Sequence, residues 1–108
     1  MDPGIDFEHE IEEALKARGN GNEGRARVCA RRAAGAALRN YFSRKEVSVE
    51  GLSAYQLLLL FVNQPQIPPI AMQYADYLIL QVSETFQLPE EVDLIHEARS
   101  LRDQLLRL

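Results

Sequence analysis

The chain has 108 residues, 46% of them hydrophobic and 26% charged, with a net charge of −4 and a pI near 5.1. That length suits one domain with a single core, residues 1–108, and the composition excludes a disordered chain. An acidic total argues against a dedicated polyanion binder, which is usually basic overall.

The longest apolar run, 57–62, falls well short of the roughly 18 residues that span a bilayer, so no membrane association is expected. The opening MDPGIDFEHE is acidic and has no apolar stretch, so no signal or transit peptide is expected either. The single cysteine, Cys29, cannot form an internal disulfide. A reducing, cytoplasmic setting follows as the expectation.

Charge is distributed in blocks. Residues 1–24 carry a net −5, residues 25–45 a net +7 without one acid, and residues 46–108 a net −6. Seven of the twelve basic residues thus lie in one stretch.

The first predicted element is an amphipathic helix with Phe7, Ile11, Ala14, Leu15 and Arg18 on one face. Asp6, or Asp2 with Pro3, can cap its start, and its glutamates favour the early turns through the helix dipole. Gly19 ends it, and Gly19-Asn20-Gly21-Asn22 makes a short turn in which Asn22 caps the next helix.

That next helix, residues 22–45, organises the chain. On a wheel, Ala26, Cys29, Ala30, Ala33, Ala34, Ala37 and Tyr41 gather on one face, where small side chains let another helix approach closely. A narrower stripe of Val28, Gly35, Leu38 and Phe42 lies opposite. Arg25, Arg32 and Arg39, spaced by seven, border that stripe on one side, and Arg27 and Arg31 flank the other. A helix with two apolar stripes is either central in a bundle or shared between a bundle and a partner.

Residues 46–52 form a connector in which Val47 and Val49 can be extended. Ser53 and Gln56 then form a capping-box pattern that opens a helix through 57–63, and Pro65, Pro68 and Pro69 end it. Pro69 restarts helix as its first residue. Ile70, Ala71, Tyr74, Ala75, Leu78, Val82 and Phe86 line one face to about Gln87. Leu88-Pro89-Glu90-Glu91 marks another stop and start, and the last helix carries Leu94, Ala98, Leu101, Leu105 and Leu108. The sum is an all-α, mostly antiparallel up-and-down bundle of four to five helices.

No catalytic constellation stands out. Asp6-x-x-His9 and Asp93-x-x-His96 have the spacing of helical metal pairs, but both point away from the apolar faces, so no metal or cofactor is expected. His9-Glu10 begins a zinc-protease motif that Glu13 breaks, because the second histidine is missing. Cys29 sits within the alanine stripe, where a lone cysteine behaves as a small hydrophobe. GNGNEG lacks the lysine and the preceding strand of a phosphate loop. The arginines are the strongest candidates: Arg25, Arg27, Arg31, Arg32 and Arg39 either contact an anion or partner, or pair with the acidic first and last helices.

The segment GRARVCARRAAGAALRNYF (24–42) and the ending LPEEVDLIHEAR (88–99) resemble a group of small bacterial proteins, and the layout is similar to the HEPN superfamily. That resemblance implies a four- or five-helix up-and-down bundle that commonly dimerises. Some members are ribonucleases with an R-x(4–6)-H motif. Here His9 has no upstream arginine, and the last arginine before His96 is Arg44, which moves the expectation to the non-catalytic branch. The expected role is therefore a non-enzymatic, self-associating protein-interaction module. The dimer is drawn from the second stripe of the arginine helix and the C-terminal leucine seam. The alternative is nucleotide or RNA binding through the arginines, linked to a toxin–antitoxin or nucleotidyltransferase system.

Overall fold

The computed structural model describes residues 3–80 and 92–108. Among them are five helices and no strand: α1 (Pro3–Gly19), α2 (Glu23–Arg44), α3 (Ala54–Val62), α4 (Pro69–Ile79) and α5 (Leu94–Leu105). The chain is an all-α helical bundle.

The α1–α2 hairpin is set by its turn. Gly21 takes φ +77°, Asn22 donates its amide to the Ala17 carbonyl at 2.8 Å, and its side chain accepts from the Arg25 amide at 3.0 Å. Both groups hold the chain where it reverses, so the two helices lie antiparallel with Glu10 beside Arg32. The helix α5 starts beside the end of α1, where Asp93 meets Arg18, and finishes beside Glu8 through Arg102. It therefore runs against α1 and with α2. Gln64, just ahead of α4, lies at Tyr41 near the end of α2, and the last carbonyls of α4 meet Arg31 in its first half, so α4 runs against α2. These four helices alternate in direction, as an up-and-down bundle requires.

The short α3 is an addition to that plan. Glu46 adopts φ +59° at the end of α2, a position usually held by glycine, and Val47 N–H returns to the Phe42 carbonyl at 2.9 Å. This turn sends residues 46–52 back along α2, with Val49 buried and no strand formed. The helix then begins against Gly35 and ends against Tyr41, whose ring meets Phe61 edge-on at 5.6 Å. Its start is the capping box read from Ser53 and Gln56: Gln56 N–H donates to Ser53 Oγ, and Ser53 N–H donates to Gln56 Oε1.

Both stripes of α2 are buried within one chain. Ala26, Cys29, Ala30, Ala33 and Ala34 have no solvent exposure, and neither have Leu38 and Phe42 on the opposite side. The helix is thus central in the bundle, and Val28 alone of the second stripe is exposed, at 44%. The leucine seam is internal too, since Leu94, Leu101 and Leu105 are buried. Neither feature is left over for a dimer contact.

Three boundaries and faces differ from the sequence reading. The helix α4 stops at Ile79, well short of Gln87, because Leu80 leaves helical dihedrals and Arg31 takes the Leu78 carbonyl that a further turn would use. Val82, Phe86 and the 88–91 turn lie outside the described residues. The helix α5 begins at Leu94, where the Asp93 side chain accepts from the Ile95 and His96 amides. Leu15 and Ile70, read as core, are each 42% exposed, while Ala17 takes a core place in α1. Leu15 and Ile70 each lie at the border of the buried face of their helix.

Candidate functional site

Three of the six arginines of α2 hold backbone. Arg31 is half-buried: its Nε donates to the Leu78 carbonyl at 2.9 Å, and its Nη2 donates to the Leu80 carbonyl. Burial, with Arg27 nearby, lowers the Arg31 pKa. Arg39 donates to the Leu52 carbonyl at 2.5 Å, Arg44 to Leu105 at 2.9 Å, and Lys45 to Leu108 at 2.8 Å. Carbonyls at helix C-termini lack intrahelical partners and carry the negative end of the dipole, so Arg31 at the end of α4 and Arg44 at the end of α5 meet an electrostatic need, whereas Arg39 ties down the connector before α3.

Pairing with the acidic first and last helices, one of the two alternatives for these arginines, is limited among the described residues. Among the described residues only Arg32 of this helix faces an acid of α1, with Nε 4.0 Å from Glu10 Oε2. Arg25 and Arg27 form no side-chain hydrogen bond or ion pair among the described residues, and Arg25 is exposed. The acidic helices are joined to each other instead. Arg18 holds Glu23 at 2.6 Å and Asp93 at 3.0 Å, while Arg102 holds Glu8 at 3.2 Å and stacks over the Phe7 ring at 4.4 Å. Hydrogen bonds that Arg18 donates to Glu23 and Asp93 hold its pKa above its ordinary value.

The other candidates sort quickly. Cys29 is fully buried. His9 and His96 are exposed, and Asp93 is committed to capping α5 and to Arg18. Among the described residues no group of three or more His, Cys, Asp and Glu gathers to hold a metal.

One concave feature does collect charged side chains. A groove of about 520 Å³ runs between α1 and α2 and is closed at one end by the start of α3. Asp6, His9 and Glu10 line it from α1; Arg32, Arg39, Asn40 and Ser43 line it from α2. Its floor is Gly35, Ala36 and Ala54, so no long side chain fills it. Two of the five arginines named from sequence, Arg32 and Arg39, therefore share a site, while Arg25, Arg27 and Arg31 do not line it. The acids of the facing wall were missed. Their signal lay in the seven-residue spacing of Arg25, Arg32 and Arg39, which marks one border of α2, but the matching border of α1 depends on the hairpin register.

In comparison with known proteins, the chain matches no family model, no curated protein and no solved structure.

Proposed function

We propose that this chain is a non-enzymatic, HEPN-like helical domain that self-associates and serves as a protein-interaction module. The observation that supports it most is the outer face of the α3–α4 hairpin. Between Gly51 and Leu80 the sequence holds a single charged residue, Asp76. Tyr55, Leu60 and Ile70 are 41%, 36% and 42% exposed there, and Pro69, Met72, Gln73, Asp76, Tyr77 and Leu80 line a shallow, mostly apolar depression on α4. Exposed apolar side chains gathered on one weakly charged hairpin of a small protein favour a contact site.

The occupant this face fits is a second copy of the chain. Each copy carries a net −4, and a nearly uncharged face lets two copies meet without concentrating like charge at the contact. A two-fold pairing of one patch with itself satisfies closed symmetry. Phosphate binding by the arginines has less behind it, because Arg31 is taken up by the α4 carbonyls, and Arg32 and Arg39 share their groove with Asp6 and Glu10, whose carboxylates would repel a phosphate.

Sedimentation velocity tests the proposal. A dimer is expected at about 10–100 μM, and the double variant Leu60→Glu with Ile70→Glu should be monomeric with unchanged helical circular dichroism. Wild-type protein that stays monomeric across that range overturns it, as does a dimer indifferent to both substitutions.

A further inference from the structure

We propose that the groove between α1 and α2 binds a small dipolar molecule bearing both a carboxylate and an ammonium group, an amino acid or a short peptide. This site lies apart from the α3–α4 face and does not depend on self-association.

Size comes first: about 520 Å³ lies within the range of small-molecule sites, roughly 300–1,000 Å³. Chemistry then narrows the ligand. Asp6 and Glu10 on one wall balance Arg32 and Arg39 on the other. A phosphate or a polyanion would meet the two carboxylates, and a simple cation would meet the two guanidinium groups. A neutral molecule with separated charges meets favourable partners on both walls.

The walls neutralise each other only in part. Arg32 Nε and Glu10 Oε2 stand 4.0 Å apart, beyond hydrogen-bond length, and among the described residues Asp6 has no ion pair. Arg39 directs one Nη2 donor to Leu52, and an arginine has five. A ligand carboxylate can therefore take paired donors from an arginine fork. Asp6 and Glu10, one helical turn apart at about 6 Å along α1, can share a single ammonium. The small residues of the floor leave the ligand's body room to lie between the two helices.

An NMR titration of the ¹⁵N-labelled chain tests this, with each proteinogenic amino acid, with alanylalanine and with inorganic phosphate as probes. The expected result is saturable shifts at the Gly35, Ala36 and Ala54 amides, with a Kd on the order of 1 mM or tighter for the best dipolar probe. Its N-acetyl and carboxamide derivatives, each lacking one charge, should bind at least about tenfold more weakly. Binding of the amino acid alone, or of the dipeptide as well, identifies the source within that one chemistry. Asp6→Asn and Arg32→Gln alter partly or fully exposed side chains and should each weaken binding about tenfold with circular dichroism unchanged. Absence of saturable shifts with every dipolar probe overturns the proposal. So does phosphate or the N-acetyl derivative binding as well as the amino acid, which would make the groove a plain anion site.

Discussion

A Cβ built on Gly35 would lie 2.8 Å from the Ala54 Cβ and 3.0 Å from its Cα. That contact is where α3 enters the bundle, and it fixes the floor of the groove. In a helix interior, replacing glycine by alanine ordinarily gains about 1 kcal/mol. Here the overlap outweighs that gain, because one of the opposing atoms is backbone. Gly35→Ala should therefore destabilise the chain by about 1–3 kcal/mol, read as a lower urea midpoint. Adding Ala54→Gly removes the nearer atom only, so it should restore part of the loss.

The same residue shows how much was legible beforehand. Gly35 fell within a recognisable second stripe of α2, and Asn22, Ser53 with Gln56, and Pro69 marked their helix starts, because caps and proline act within a few residues. What lay beyond reach depended on contacts between distant segments. The end of α4 follows from Arg31, which is 47 residues away from Leu78. The groove required the register of α1 against α2, so Asp6 stood out only as a cap and beside His9, and nothing in the sequence set Asp6 and Glu10 opposite Arg32 and Arg39. Whether the two-stripe helix was central or shared with a partner turned on where α3 packed.

Arg31 should prove the most sensitive of the arginines. Its guanidinium serves the carbonyls of both Leu78 and Leu80 from a half-buried position. Arg31→Met keeps the length of the side chain and removes both hydrogen bonds, for an expected loss of about 1–3 kcal/mol. Arg31→Lys should recover little, since a single ammonium lacks the planar fork that reaches two carbonyls. Amide exchange in the last turn of α4 should quicken in both variants, whereas Arg25→Met should leave stability within about 0.5 kcal/mol.

The junction of α1, α2 and α5 carries a pH signature. Burial pushes the Asp93 carboxyl up, but hydrogen bonds from Arg18 and from the His96 and Ile95 amides outweigh it and hold its pKa below the ordinary 3.8. A depressed carboxylate contributes stability above its unfolded pKa and loses it as pH falls through the folded one. Asp93→Asn keeps the cap acceptor and removes the charge, so it isolates the pair with Arg18. The side chains are 36% and 48% exposed, so the cost at neutral pH should be only about 0.5–1 kcal/mol. Denaturation at decreasing pH should show the two proteins converging below the ordinary carboxylate range.

Glu97 should behave in the opposite sense. Its Oε2 is buried and finds no hydrogen-bond partner among the described residues. Burial pushes its pKa above the ordinary 4.5, with His96 opposing the shift and Asp93 adding to it. A carboxyl raised in the folded state favours folding while it is protonated. That advantage is present below the unfolded pKa and disappears as pH rises through the folded one. At neutral pH the fold therefore carries an ionised oxygen that water would solvate better. Glu97→Gln offers a neutral side chain of nearly the same shape and should raise stability at pH 7 by roughly 0.5–1 kcal/mol. Below pH 4 wild type and variant should unfold at the same urea concentration. A variant less stable than wild type at pH 7 would show that the ionised carboxylate has a favourable partner in the folded chain.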